Sequence, residues 1–190
     1  MRAFVALLLP DAVTEELDRF LEPRQDALAP RGDWRWTRSE QRHLTLAFLP
    51  ELEEWREEEL IEAGAAWAQR TRPLRLALRG AGAFPDPGAA RVLWAGVEEP
   101  EPGGLGGWAQ ALRSLASRSG VRVDGTRFSA HVTLARSAGR PRPAGHLVQA
   151  LDTLQTSAWS ADEVCLVRSE LGLGPRGTPR YAVRHTWSLA

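Results

Sequence analysis

His43-Leu44-Thr45-Leu46-Ala47 recurs later in the chain as His131-Val132-Thr133-Leu134-Ala135. Each string reads histidine, apolar residue, threonine, leucine, alanine. Two imidazoles with ordinary pKa values of about 6.5 can divide labour near neutral pH. One, neutral, takes a proton from water; the other, protonated, gives a proton to a leaving oxygen, and each such group contributes about 10²–10⁴-fold. A threonine hydroxyl beside each histidine can bond the non-bridging oxygens of a phosphate. The constellation suits in-line displacement at phosphorus, with nucleophile and leaving group on opposite faces. The chain has four histidines, and the other two, His146 and His185, have no threonine two places on. A lone histidine is an ordinary structural residue, but the repetition asks for a shared purpose.

The strings must lie on strands for this to work. Residues 44–49 and 132–134 are apolar and partly β-branched, as buried strands are. Side chains alternate faces along a strand. Strict alternation puts His43, Thr45 and Ala47 on one face, with Leu44, Leu46 and Phe48 on the other. It likewise puts His131, Thr133 and Ala135 together, against Val132, Leu134 and Arg136. The small alanines then leave room for a ligand, and Arg136 reaches it only if the strand ends or bulges. Arg127 and Ser129 share the His131 face.

Composition narrows the field. The chain has 190 residues, enough for one core or two small lobes sharing one. Its 24 basic and 24 acidic residues cancel, which gives no global case for tight non-specific nucleic-acid binding. Every basic residue is arginine, a side chain that favours bidentate phosphate contacts. One cysteine, Cys165, sits in an apolar run and reads as core. No 18-residue apolar run exists, so no membrane span is expected. The short apolar start ends at Pro10 and reads as a first strand of a cytoplasmic protein. The histidine pair lacks neighbouring Asp, Glu or Cys donors, so neither a metal nor a cofactor is expected. The glycines of 103–107 lack the lysine and spacing of a phosphate loop and read as linker.

The elements expected along the chain are a strand over 2–9 and a helix from Asp11 through Val13, Leu17, Phe20 and Leu21. A short strand over 33–37 precedes the first motif strand. A helix over 51–70 with an acidic start follows, then strands over 74–78 and 91–97 around a Gly/Pro-rich loop. After a linker over 98–107 come a helix over 108–117, the second motif strand over 127–135 and a helix over 146–155. Strands over 158–169 and 180–189 close the chain. Strands in pairs and threes between helices indicate α+β with mainly antiparallel sheet. The repeated motifs, 43–46 and 131–134, suggest two pseudo-symmetric lobes around a central cleft, within one compact domain of residues 1–190.

The two His-x-Thr-Leu motifs resemble those of the 2H phosphoesterases, and more closely those of the RNA 2′,3′-cyclic phosphodiesterases, once called 2′-5′ RNA ligases. The resemblance covers nearly the whole chain. It includes 1–6, Trp36 with 43–49, Phe84-Pro85 with Arg91-Val92-Leu93-Trp94, 128–136, and Ser169-Glu170-Leu171-Gly172 with Tyr181. Pro50 and Ala130 depart from the family's usual glycine and proline, and 173–177 is a variant turn. The resemblance implies a bilobal 2H fold and metal-free hydrolysis of RNA 2′,3′-cyclic phosphate ends to a 2′-phosphate. It makes His43 the proton donor, His131 the proton acceptor, and Thr45 and Thr133 the phosphate holders. The resemblance also allows an ATP-independent 2′-5′ ligation on the same site. Arg136, Arg91 and Phe84 are further candidate substrate contacts. Among the aromatics able to stack on a base, Tyr181 and Phe84 stand out, whereas Phe48 and Trp94 read as core. The partner is then an RNA end or nucleotide bearing a cyclic phosphate, met by a monomer. A different 2H substrate, such as a 2′-5′ oligonucleotide, and a non-catalytic RNA-end-binding module are the competing readings.

Overall fold

A computed structural model describes residues 1–28 and 32–190. Its elements in chain order are β1 (Ala3–Leu8), α1 (Asp11–Leu28), β2 (Trp34–Trp36), β3 (His43–Leu49), α2 (Glu54–Ala68), β4 (Leu74–Phe84) and β5 (Val92–Glu98). They continue with α3 (Gly104–Arg118), β6 (His131–Ser137), α4 (Gly145–Leu151), β7 (Trp159–Ala161), β8 (Glu163–Glu170) and β9 (Arg180–Ser188). The class is α+β, as the strand grouping implies.

The strands form one antiparallel sheet in the order β7-β4-β5-β6-β3-β1-β8-β9, with β2 also paired to β6. The two motif strands, β3 and β6, are neighbours at its centre. Each has its own outer partner, β1 for β3 and β5 for β6. The halves therefore mirror each other about the β3–β6 seam, and that seam carries a single registered pair, Leu44 with Val132.

The helices pack on one face of the sheet. Leu17 and Leu21 of α1, Leu60 of α2 and Leu105 and Leu112 of α3 join Leu44, Leu46, Val132 and Leu134 in the main core. Leu147 of α4 joins Leu93 and Ala135 in a smaller cluster on that side. The opposite face carries a third, small cluster of Phe4, Ala6, Cys165 and Val167, with Phe48 and Tyr181 against it. The histidines lie on this second face.

Several expected boundaries move, each for a local reason. β4 runs on to Phe84, through the glycines expected to be loop. Gly82 is there for a close approach: a Cβ on it would overlap the Trp94 ring. α3 begins inside the expected linker, because the Glu99 carboxylate accepts the Leu105 N–H at 2.7 Å and satisfies a free helix-start donor. β6 begins only at His131, and the expected strand over 158–169 divides into β7 and β8.

Candidate active site

Both motif strands depart from strict alternation at the same place. β1 pairs Ala6 with Thr45 and Val5 with Ala47, which leaves Leu46 as an extra residue. β5 pairs Trp94 with Thr133 and Leu93 with Ala135, which leaves Leu134 as an extra residue. Such bulges re-aim side chains and are frequent beside active sites. Here each bulge sends two successive residues to the core side, so Leu46, Ala47, Leu134 and Ala135 are all buried.

This overturns three expectations and meets the condition set for Arg136. Ala47 and Ala135 do not flank the ligand; they pack in the core. Phe48 returns to the histidine face, opposite Phe4 and under the Arg2 guanidinium at 4.5 Å. Arg136 also returns to that face, opposite Val92. Trp94 is on the histidine face too, directly across from Thr133.

The seam pair fixes the arrangement of the four motif residues. Extending the Leu44–Val132 register by one residue each way sets His43 across from Thr133, and Thr45 across from His131. Directly opposed Cβ atoms in an antiparallel pair lie about 4.5–5.5 Å apart, and diagonal ones about 7–8 Å. The two histidines thus occupy opposite corners of a small square, with threonines at the other two. The motifs sit side by side on adjacent strands, where each half contributes two corners.

The rings are held in the same way. His43 Nδ1 lies 2.7 Å from the Gln41 carbonyl oxygen, and His131 Nδ1 lies 2.7 Å from that of Ser129. A carbonyl only accepts, so Nδ1 carries the proton and donates. Nε2 of each ring is then left to exchange protons with a ligand. His43 is stacked on Phe4, with centroids 4.5 Å apart, and meets Tyr181 edge-on at 5.4 Å. His131 meets Phe84 edge-on at 5.0 Å, and Phe84 leans on Trp94 at 5.2 Å.

These surroundings depress both imidazole pKa values below the usual 6.5. Burial is the main cause for both, because it disfavours the charged ring. The Gln41 and Ser129 carbonyls act in the opposite direction. The Arg136 guanidinium adds repulsion at both rings, and His131 adds a little at His43. That Arg136 acts on both histidines agrees with its return to their face.

The loop before His43 is tied down on two sides. Its 3₁₀ turn, Ser39–Gln41, is held by the Ser39 hydroxyl donating to both Asp18 oxygens at 2.8 Å. Arg42 is buried and pairs with Asp18 at 2.5 Å. Gln41 Nε2 donates to the Pro179 carbonyl at 2.6 Å, linking the turn to the β8–β9 connection that leads into Tyr181. Neither this network nor the stacking of Phe4 had a signal in the sequence beyond the alternation of the first strand.

Among the other expected residues, Phe84 lies beside His131. Arg91 is exposed just before β5, and its nearest bond is a long one, 3.4 Å, to the Gly139 carbonyl. The structure does not bring it to the histidines. Arg127 and Ser129 are exposed in the irregular run before β6, where Ser129 contributes its carbonyl. His146 lies on α4, and His185 packs edge-on against Trp187 at 5.3 Å, both away from the pair. Among the described residues, no three His, Cys, Asp or Glu side chains cluster as a metal set, and no helix is long and apolar enough to cross a membrane.

Comparison with known proteins places the chain. The family model described as LigT like Phosphoesterase matches residues 7–94 and 96–176. The RNA 2′,3′-cyclic phosphodiesterase of Thermus thermophilus is 35% identical over 195 residues, covering 100% of this chain and 90% of that protein. The protein of that name from Escherichia coli is 31% identical over 193 residues, covering 99% and 96%. A Thermus thermophilus crystal structure superposes with a TM-score of 0.77 at 32% identity, covering 100% of this chain and 98% of that one. Escherichia coli LigT complexed with 3′-AMP gives 0.74 at 28% identity, with the same coverage. With a model match across most of its length and a fold shared end to end, this chain belongs to the LigT-like phosphoesterases of the 2H group.

Proposed function

We propose that the chain hydrolyses the 2′,3′-cyclic phosphate end of RNA to a 2′-phosphate, using His43 and His131 as an acid–base pair. The observation that carries this reading is the matched pair of Nδ1–carbonyl bonds, which leaves both Nε2 atoms free for a ligand on two histidines at opposite corners of one four-residue square. The names of the relatives support the substrate class.

In this mechanism neutral His131 takes a proton from water through Nε2. The water oxygen bonds to phosphorus as the P–O3′ bond breaks, and His43, protonated on Nε2, gives its proton to O3′. The assignment follows the environments: the His131–Ser129 bond is exposed, so water reaches that ring, whereas His43 is enclosed by Phe4 and Tyr181. Depressed pKa values suit the base. The acid is restored by the substrate, because a bound phosphate anion favours the charged imidazole. Thr45 and Thr133 hold the non-bridging oxygens, and Arg136 balances their charge. Phe84 offers a face to the base. With the 5′-hydroxyl of a second RNA end in place of water, the same site performs an ATP-independent 2′-5′ ligation: the hydroxyl gives its proton to His131, its oxygen bonds to phosphorus, and the P–O3′ bond breaks as His43 protonates O3′.

Every corner of the site comes from one chain, which supports a monomer whose two halves act as one unit. The single free, buried cysteine is in keeping with a cytoplasmic setting. The test is incubation in EDTA with RNA ending in a 2′,3′-cyclic phosphate, followed by identification of the product. A 2′-phosphate, lost in His43→Ala and in His131→Ala, is the expected result. A 3′-phosphate, or a requirement for added metal, overturns the reading.

A further inference from the structure

Arg35 of β2 is paired directly with Arg136 of β6. Residues paired in this way project from the same face, so Arg35 stands on the histidine face beside Arg136. The face then carries three rows across β6 and its neighbours. His131 and Thr45 form the first, Thr133 and His43 the second, and Arg136 and Arg35 the third. The first two rows are two residues apart along a strand, about 6.5–7 Å, and on β6 the third lies three residues beyond the second, with the bulge residue Leu134 between them.

Like charges directly opposed across strands are destabilising. Some arginines elsewhere meet carboxylates, as Arg142 holds Asp33 and Arg184 holds Glu57 in a two-bond fork. Among the described residues, neither Arg35 nor Arg136 has a carboxylate within ion-pair distance, and both are exposed. Two adjacent guanidiniums facing an open site, with no internal counter-charge, are matched by a phosphate, whose oxygens accept two forks at once.

We propose that Arg35 and Arg136 form a second phosphate subsite, next to the reacting one, for the 5′-phosphate of the nucleotide that carries the cyclic phosphate. This rests on the phosphodiesterase reading and adds a preference to it. The subsite makes the chain favour the end of a polynucleotide, or a 5′-phosphorylated nucleotide, over a bare nucleoside 2′,3′-cyclic phosphate. Arg136 serves both phosphates, whereas Arg35 serves the second alone.

The experiment compares kcat/KM for adenosine 2′,3′-cyclic phosphate with that for its 5′-phosphorylated counterpart. The unaltered protein prefers the 5′-phosphorylated substrate about tenfold at low salt, a single charge-assisted contact's worth. Raising the ionic strength shrinks the preference. Arg35→Gln removes it, bringing the ratio near one, and Arg35→Lys keeps part of it. Melting temperatures serve as the folding control, and Arg35→Gln melts no lower because a repulsion is relieved. A ratio unchanged by Arg35→Gln, or no preference in the unaltered protein, overturns the subsite. If neither substrate is turned over, the phosphodiesterase reading fails. The subsite is then judged by calorimetry with adenosine 2′-phosphate and adenosine 2′,5′-bisphosphate. Tighter binding of the bisphosphate, lost in Arg35→Gln, upholds it, and equal binding refutes it.

Discussion

Leu46 and Leu134 hold equivalent places: each is the extra residue of a bulge, one step after the motif threonine. The sequence repeat is thus also a repeat of backbone irregularity. Its effect is to bring the third residue after each threonine back beside the reacting groups. In one half that residue is Phe48 and in the other Arg136. The two halves share a frame and differ in what they present, an aromatic surface on one side and a cation on the other.

Arg136→Ala separates the two arginine candidates. Loss of a guanidinium that faces both histidines is expected to lower kcat/KM on a cyclic phosphate by about 10²-fold, the scale of one positioned charged donor. Arg91→Ala is expected to change it by less than about threefold, in line with an exposed surface substitution. Steady-state kinetics of the two variants, side by side, decide the matter. Equal losses would contradict the bulge as the feature that selects Arg136.

Acidification is expected to destabilise the fold through the two imidazoles. Their folded pKa values lie below the unfolded value of about 6.5. Between those values the unfolded chain binds more protons than the folded one, so stability rises with pH there. The contribution is complete above about pH 6.5 and is lost as pH falls toward the folded values. Urea denaturation from about pH 5 to 8 should show this slope, and His43→Gln should flatten it. The same pH dependence in His43→Gln as in the unaltered protein would place its origin elsewhere.

Much of this was legible in the chain. The repeated string and its strand setting point to the four corner residues, and alternating apolar residues reveal the sheet. The face of Arg136 was not legible from alternation, because a bulge is settled by how the partner strand is spaced. One clue was present: Leu46-Ala47 and Leu134-Ala135 are adjacent apolar pairs, which a strictly alternating half-buried strand would not carry. Gly82 read as loop because a glycine kept clear for an indole looks, in one dimension, like a glycine kept for a turn. Arg35 stood apart from the motifs in sequence, and only the β2–β6 pairing brings it to them.

Arg42→Met tests whether the buried ion pair positions His43. The Arg42 side chain is 3% exposed, its partner Asp18 43%, and its Nε has no partner in the fold. Removing the arginine strands no buried charge, because Asp18 is half-exposed and keeps the Ser39 hydroxyl, and it removes an unpartnered buried Nε. We expect the melting temperature to hold or rise while kcat falls several-fold and KM stays nearly constant. The Gln41 carbonyl would no longer be held against the His43 ring, so the acid limb of the pH–rate profile should shift as well. Unchanged kcat would reduce Arg42 to a packing residue.

Gly82→Ala probes the wall behind Thr133. Its new methyl would overlap the Trp94 indole, which must move, at a cost of about 1–3 kcal/mol as in other overpacked sites. Because Phe84 leans on Trp94 and also touches His131, the displacement should raise KM for nucleotide substrates. Denaturant titration and kinetics on the one variant report both effects. A rise in KM without loss of stability would mean that the indole is loosely held.

The seam between β3 and β6 consists of one registered rung, Leu44 with Val132, while the ladders on either side are long. Two stiff leaves joined along a narrow spine resist sliding far more than they resist flexing. The distance between the two imidazoles is therefore governed by the pitch of the leaves, and each leaf carries one complete His-Thr pair with it as it tilts. The spacing of the two His-Thr pairs then depends on mechanical compliance at that spine, where two buried aliphatic side chains meet.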